Sequence, residues 1–339
     1  DFESRTSDSM LSRGLIDSIV NRNHQKEQIS RIIDLLNNNH KLIYESKKTN
    51  LTPFILSDIS IDERVKISGN KNRPKASVFL ENVFEHFFEI KGDRLLENSE
   101  RIITGLAQLG GQTVMIVAQE NSTKNKSSEG LTSTDFRKCS RAIKLASRFD
   151  IPLITFIDTV GHNMSYKEEI QGIGISLGDT MLSMAEFSSP SISVLIGSGG
   201  TETALSLDIS DRRLMLENSV LVLGDNRDDK DSLNNPTVIG AKECIDLNII
   251  DSVIPEPVGG MHLNPDECFS LLRKFLMIEL AQLNKRSERS RFKDKYKKFR
   301  TISDLNNSYI SNLANEAISA KSKLAKYITE KIKNKKATE

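Results

Sequence analysis

Residues 191–200 read SISVLIGSGG, a short apolar run closing on Gly197, Gly199 and Gly200. Apolar, β-branched residues ended by glycine form a strand, and weak polar alternation places it in a sheet covered on both faces. Residues 151–161, IPLITFIDTVG, repeat that phrase. A helical pattern from roughly Gly172 to Phe187 separates the two, and another, DFRKCSRAIKLASRFD, precedes them. Strand, crossover helix, strand is the signature of an α/β fold. No GxGxxG opens the first crossover, so a Rossmann dinucleotide site is unsupported.

Working outward, IITGLAQLG and QTVMIVAQE predict two strands joined at Gly110–Gly111, followed by the polar loop NSTKNKSSEG. ASVFLENVFEHFFEI predicts a helix with Val78, Phe79, Val83, Phe84 and Phe87 on one face, ended by Gly92–Asp93–Arg94. TETALSLDI predicts a short helix, RRLMLENSVLVLG a strand region, AKECIDLN a helix and residues 267–283 an amphipathic helix. Near the start, Leu15–Val20 predicts a short strand and Gln25–Leu36 a helix. The phrase RGLIDSIV (13–20) returns, little changed, as LNIIDSVI (247–254). The domain reading is 1–36 as a first segment, 37–75 as a linker or extended arm, 76–300 as the main domain and 301–339 as a basic helical tail.

The 339 residues carry 47 basic and 46 acidic side chains, so no global field draws the chain to nucleic acid. Cys139, Cys244 and Cys268 are scattered, without the spacing of a disulfide framework or thiolate metal site, and fit a reducing cytoplasm. No apolar run spans a bilayer and no secretory signal opens the chain. It begins at Asp1 rather than Met, which reads as a fragment, a processed product or an engineered chain. Between Lys285 and Arg300 stand nine basic residues and two acids, with Phe292, Tyr296 and Phe299 spaced for one helix face. That spacing predicts packed aromatics and a solvated basic side, with a phosphate- or carboxylate-bearing partner, or nucleic acid, as the alternatives.

In an open α/β fold, ligands gather at the carboxyl ends of strands. Gly199 and Gly200 lie there. Such a pair is either a plain turn before a helix or a source of peptide N–H groups for charge developing on a carbonyl oxygen. Asp158 is either catalytic or a cap for its own loop. His162 is a surface residue or a proton carrier. Glu202 begins a helix, where the dipole favours it, and is expected to point away from a pocket that binds an oxyanion. Glu168 and Glu169 are loop acids. Ser219 and Cys139 have no base at a telling spacing, so no triad is inferred.

Several phrases together resemble the alpha subunit of the acetyl-CoA carboxylase carboxyltransferase. They are Arg73–Pro74, Gly92–Asp93–Arg94, ITGLAQLGGQTVMIV, ASRFDIPLITFIDTVG, VLIGSGG, LMLENSV, NIIDSVIPEPVGGMH and RFKDKYKKFR, covering roughly 70–300. FESRTSDSMLSRGLIDSIVNR is similar to the end of the beta subunit. The resemblance therefore implies a beta-subunit tail joined to an alpha half, with LIDSIV and IIDSVI as the same structural step in each.

The fold so implied is the crotonase/ClpP-like ββα superhelix, with additional N- and C-terminal helices. The activity implied is transfer of a carboxyl group from carboxybiotin, on a biotin carboxyl carrier protein, to an acyl-CoA such as acetyl-CoA. Gly199 and Gly200 would form the catalytic oxyanion hole, and Thr159, Val160 and Gly161 the cofactor-binding wall. The partners implied are a beta-like carboxyltransferase half and the carrier protein, in a heterotetramer or a dimer of fused units. This chain would bind no metal; a zinc ribbon would belong to the beta-like partner. The family's second glycine pair is replaced by Glu202 and Thr203, its proline–glycine loop by TVGHNMSYKEEIQG, and its helical insert after NSV by LVLGDNRDDKDSLNNP. Those departures keep two alternatives open: a non-catalytic scaffold partner, and a decarboxylase or hydrolase on the same fold.

Overall fold

The computed structural model describes residues 6–38, 40–42, 57–95, 97–121, 130–159, 161–223 and 237–302. The expected loop 122–129, Val160, the acidic stretch 224–236, part of the linker (43–56) and the tail from 303 lie outside the described residues. Two compact units divide the chain, Asp1–Asp294 and Lys295–Glu339.

The first unit begins with α1 (Ser7–Ser12), a 3-10 turn at Arg22–His24, α2 (Gln25–Leu36), α3 (Ile61–Ser68) and α4 (Ala76–Val83). Strands β1 (Glu85–Glu89), β2 (Ile102–Leu109) and β3 (Gln112–Gln119) follow, then α5 (Ser133–Arg148), β4 (Leu153–Ile157), α6 (Tyr166–Ile170), α7 (Ile173–Ala185) and β5 (Ser191–Leu195). The remainder is β6 (Ser198–Gly200), α8 (Thr201–Asp208), β7 (Arg212–Leu216), β8 (Val220–Leu223), β9 (Thr237–Ile239), α9 (Ala241–Asp246), β10 (Ser252–Ile254), α10 (Pro265–Asn284) and α11 (Glu288–Thr301), which runs into the second unit. One seven-stranded sheet has the order β1-β2-β3-β4-β5-β7-β10, and a small sheet the order β6-β8-β9. The β1–β2 and β2–β3 pairs are antiparallel, and from β3 to β10 the large sheet is parallel.

The strands alternate between two cores. Val114, Ile116 and Ala118 join Phe79, Leu272 and Leu276 on the α4–α10 face, while Met115 and Val117 join Phe136, Ile143 and Met184 on the α5–α7 face. Both sides of the sheet are thus covered, as the apolar strands required.

The aromatic stretch after Ala76 departs from expectation. The helix stops at Val83, Phe84 turns to extended backbone, and residues 85–89 become an edge strand on β2. Gly105 makes the approach feasible, since a Cβ there would lie 2.4 Å from the Phe88 carbonyl oxygen. Arg273 donates to the Val83 carbonyl at 2.8 Å and satisfies the helix end.

The first segment also differs. Leu15–Asp17 bends and Ser18–Val20 takes no regular structure, whereas Ser252–Ile254 is a strand parallel to β7. The two similar phrases are therefore not the same step here, because the first is bound through side chains and a glycine turn. Gly14 has φ +67° and Gly92 φ +64°, and a Cβ on Gly14 would fall 2.4 Å from the Gly92 Cα. Asp17 accepts the Lys91 N–H at 2.8 Å and pairs with Arg94, which also donates to the Gly14 carbonyl at 2.7 Å. The GDR phrase thus serves as the dock for RGLID.

Residues 57–75 are likewise more than an extended arm. Helix α3 buries Arg64, which donates to the carbonyls of Ser57 (2.6 Å) and Glu217 (2.8 Å). In the basic stretch, Phe292 is 55% exposed, so the expected packing of that aromatic face fails at this position.

Candidate functional site

The site grows from the carboxyl ends of β4 and β5, which run parallel with Ile157 beside Leu195. Past the ladder, Ile196 N–H donates to the Ile157 carbonyl at 3.0 Å. Ser198 N–H then donates to Asp158 Oδ1 at 3.0 Å, and Thr159 N–H to the Ser198 carbonyl at 2.9 Å. Asp158 therefore caps the junction, which is one of the two roles its sequence position allows. Burial pushes its carboxyl up from the ordinary value, against the Ser198 N–H, Lys75, Asn121 and Arg73, which favour the charged form.

Beyond Ser198 the chain leaves the large sheet and pairs with β8, Gly199 beside Leu221 and Gly200 beside Val222. Each glycine is needed there. A Cβ would meet Asp158 Oδ1 at 2.4 Å from Gly197, Leu195 Cδ1 at 2.5 Å from Gly199 and the Val222 carbonyl at 2.1 Å from Gly200.

The backbone separates the two predicted donors. Val220 N–H donates to the Gly197 carbonyl, which fixes the phase of the parallel ladder. In that phase the Gly199 N–H faces β8 and belongs to the ladder, while the Gly200 N–H lies on the opposite edge. That edge carries the Ser198 N–H and C=O, already bound by Asp158 and Thr159. The Gly200 N–H is the next group along it. At φ +146° Gly200 occupies backbone space that L residues rarely enter.

Gly161 has φ +111°, and a Cβ on it would touch nothing within 4 Å. Its N–H donates to Thr159 Oγ1 at 3.1 Å, and its carbonyl accepts the Leu131 N–H at 2.9 Å. Thr159 is buried with its own N–H committed to Ser198. Val160 lies outside the described residues. Glu202, in the first turn of α8, does not point away from this region but forms an ion pair with Nδ1 of His162. Glu168 and Gln171 play a structural part, accepting from Ser133 N–H (2.7 Å) and Ser133 Oγ (3.1 Å) at the start of α5. Ser219 Oγ donates to the Leu195 carbonyl at 3.0 Å, and Cys139 is buried, so neither is placed as a nucleophile.

Two supports were missed by site reasoning. Arg73 donates twice to the Ile196 carbonyl, at 2.9 and 3.1 Å, and twice to Glu256, at 2.6 and 2.9 Å. Burial alone would raise the Glu256 carboxyl; Arg73, Asn218 and the Met261 N–H outweigh it and hold it below the ordinary range. Gln119 accepts the Asp158 N–H at 3.2 Å and donates to the Thr203 carbonyl at 3.2 Å, joining β4 to α8. Arg73 and Glu256 stood in quoted phrases, RP and IPEP, but only contact shows what they hold. Among the described residues no group of three or more His, Cys, Asp or Glu side chains is placed to hold a metal ion. No described helix is long and apolar enough to cross a membrane.

The model of one family, described as acetyl co-enzyme A carboxylase carboxyltransferase-like, matches residues 15–303. The chain is 32% identical over 259 residues to the acetyl-coenzyme A carboxylase carboxyl transferase subunit alpha of Clostridium botulinum (strain Eklund 17B / Type B), covering 72% of this chain and 94% of that protein. It is 31% identical over 286 residues to the same-named subunit of Staphylococcus saprophyticus, covering 80% and 88%. Among solved structures, transcarboxylase 12S with hydrolysed methylmalonyl-coenzyme A bound superposes with a TM-score of 0.55 at 15% identity, over 77% of this chain and 50% of that one. A single-chain, multi-domain long-chain acyl-CoA carboxylase gives 0.54 at 12%, over 79% and 27%. The chain thus spans half or less of those two solved chains, which share its crotonase-like fold. Its sequence match extends over the whole α/β body and makes this a carboxyltransferase-type component: the chain belongs to the acetyl co-enzyme A carboxylase carboxyltransferase-like family.

Proposed function

We propose that this chain is the alpha-like half of a carboxyltransferase that moves a carboxyl group from carboxybiotin to an acyl-CoA such as acetyl-CoA. One observation carries the reading: the Gly200 N–H lies outside the β6–β8 ladder, on the edge where the Ser198 N–H and carbonyl are already bound by Asp158 and Thr159. The fit to a biotin ring rests on the space at Gly161, where a Cβ would meet nothing within 4 Å, and on that donor. When bound, carboxybiotin supplies an activated carboxyl group. The residues of this chain do the rest of the work on its side. Gly200 N–H stabilises negative charge on the ureido oxygen. Thr159 and Gly161 form the facing wall, and Arg73 holds the strand end through the Ile196 carbonyl.

The acyl-CoA site is assigned to a beta-like half, with the biotin carboxyl carrier protein as a further partner and the site between the halves, in a heterotetramer or a dimer of fused units. In the domain reading that goes with this, residues 1–36 are the beta-like segment, 76–300 the alpha-like body and 301–339 the tail. The test is malonyl-CoA-dependent carboxylation of free biotin or biocytin by the native assembly. Turnover supports the reading; its absence, with a conventional carboxyltransferase active alongside, overturns it in favour of a scaffold role.

A further inference from the structure

A cavity of about 610 Å³ opens in the first unit at the amino ends of β4 and β5, whereas the glycine turn lies at their carboxyl ends. Three pieces of chain frame it: the stretch after α2, the turns that lead into β4 and β5, and the corner between α10 and α11. Hydrogen bonds fix this frame. Asn38 Nδ2 donates to the Gly111 carbonyl at 2.8 Å and to Thr113 Oγ1 at 3.2 Å. Gln112 Oε1 accepts from the Leu42 N–H and from Asn284 Nδ2, each at 2.8 Å. Arg291 donates to the Ser188 carbonyl at 2.7 Å and to the Arg286 carbonyl at 2.6 Å, which joins the helix corner to the start of β5.

The lining is divided. Phe149, Ile151 and Pro190 form an apolar wall, and Phe149 is 41% exposed. Lys41, Arg286 and Arg291 bring three cations, and Asp150 and Glu288 two carboxylates. Both arginines are half-buried and both carboxylates are exposed, so water screens the acids more and the guanidiniums set the field inside. Arg291 also keeps a buried Nε–H with no acceptor among the described residues. A buried donor of that kind calls for an acceptor the chain does not supply. This corner begins the basic stretch 285–300, which the carboxyltransferase reading leaves without a task.

We propose that the cavity binds a small organic phosphate, with the phosphoryl group against Arg286 and Arg291 and the organic body along Phe149. Guanidinium forks suit a phosphoryl group because they offer it paired N–H donors. Arg286 is held at 2.6 Å by Asp294, a pair with side chains 38% and 45% exposed, and an exposed pair of this kind costs little to open. An apolar wall opposite a cationic end selects an amphipathic anion over an inorganic one. None of these residues belongs to the glycine turn, so the proposal stands apart from the carboxyltransferase reading.

Isothermal titration calorimetry on the full chain tests it, with phenyl phosphate as the probe and inorganic phosphate and benzoate alongside. Phenyl phosphate is expected to bind at one site, about tenfold tighter than inorganic phosphate because its ring is buried, and tighter than benzoate. Arg286→Gln weakens it by about tenfold or more. Lys41→Ala, on a different piece of the frame, weakens it as well, so a disturbed helix corner does not account for the loss. Phe149→Ala removes the preference over inorganic phosphate and leaves inorganic phosphate bound as before. Absence of binding to the wild type, unchanged affinity in Arg286→Gln and Lys41→Ala, or benzoate bound as tightly as phenyl phosphate overturns the proposal.

Discussion

Arg73 grips the Ile196 carbonyl and Glu256 at once, with its side chain 2% exposed and that of Glu256 fully buried. Ile196 immediately precedes the glycine turn, so the strand end that presents Gly200 is set by a residue in a different element. Arg73→Met leaves the Glu256 carboxylate buried without its cation, an expected loss of roughly 3–5 kcal/mol. Urea denaturation measures it. Arg73→Lys recovers only part, since an ammonium lacks the planar fork that serves both partners; equal stability of the two variants contradicts this account.

Gly200 and Gly161 separate contact from backbone strain. Gly200→Ala drives a Cβ toward the Val222 carbonyl, while Gly161→Ala meets open space, and both impose a positive φ. The second is expected to cost about 1–2 kcal/mol, the first clearly more, with carboxyl transfer lost. Thermal denaturation and the biotin carboxylation assay together read the difference. Identical stability losses would place Gly200 in open space, against the packing seen.

Lys138 is buried and donates to Asn98 Oδ1, the Ser99 carbonyl and the Ile102 carbonyl at 2.9, 3.0 and 2.6 Å. Burial lowers its pKa below the ordinary lysine value, despite the opposing pull of Glu89. The unfolded chain therefore binds this proton more tightly, and the lysine's contribution to stability rises with pH through the window between its folded and unfolded values. Lys138→Met strands its acceptors, at about 1–3 kcal/mol each, and removes that alkaline rise. Denaturation at stepped pH checks both; an unchanged slope in the variant excludes the linkage.

Cys139, Cys244 and Cys268 are unpaired and buried. Burial pushes the thiols of Cys244 and Cys268 up to about 12, and that of Cys139 higher still. None is expected to react with a thiol reagent at neutral pH in the native state, and all three should react in denaturant. Fast labelling of any one in the native protein would show local opening around it.

Gly14→Ala is expected to loosen α1 and α2 without melting the sheet, because its Cβ would collide with Gly92. Hydrogen exchange should accelerate across residues 7–36 and stay slow in β3–β5. Uniform acceleration would mean that this contact supports the whole unit.

The central strands and crossover helices were legible in the sequence because burial on both faces writes itself as unbroken apolar runs. Gln25–Leu36 and the hairpin at Gly110–Gly111 were legible for similar local reasons. Leu15–Val20 was misread because strand propensity says nothing of whether a neighbouring strand exists to pair with. The stretch after Ala76 was misread because its phenylalanines satisfy a helical face as well as a strand paired beside Gly105. At the site, the glycine turn was visible, but the phase of a ladder was not, and it alone distinguishes Gly199 from Gly200. The His162–Glu202 pair joins residues forty positions apart, which no local pattern connects.

The docking of Gly14 on Gly92 has a consequence for assembly. Both residues lie on one polypeptide, so the first segment meets its dock as an intramolecular event, at an effective concentration set by the intervening chain. The joint combines the glycine contact, Asp17 and Arg94 with Leu35 of α2 buried in the α5–α7 core. Tethering ties the two segments together stoichiometrically whenever the chain is synthesised.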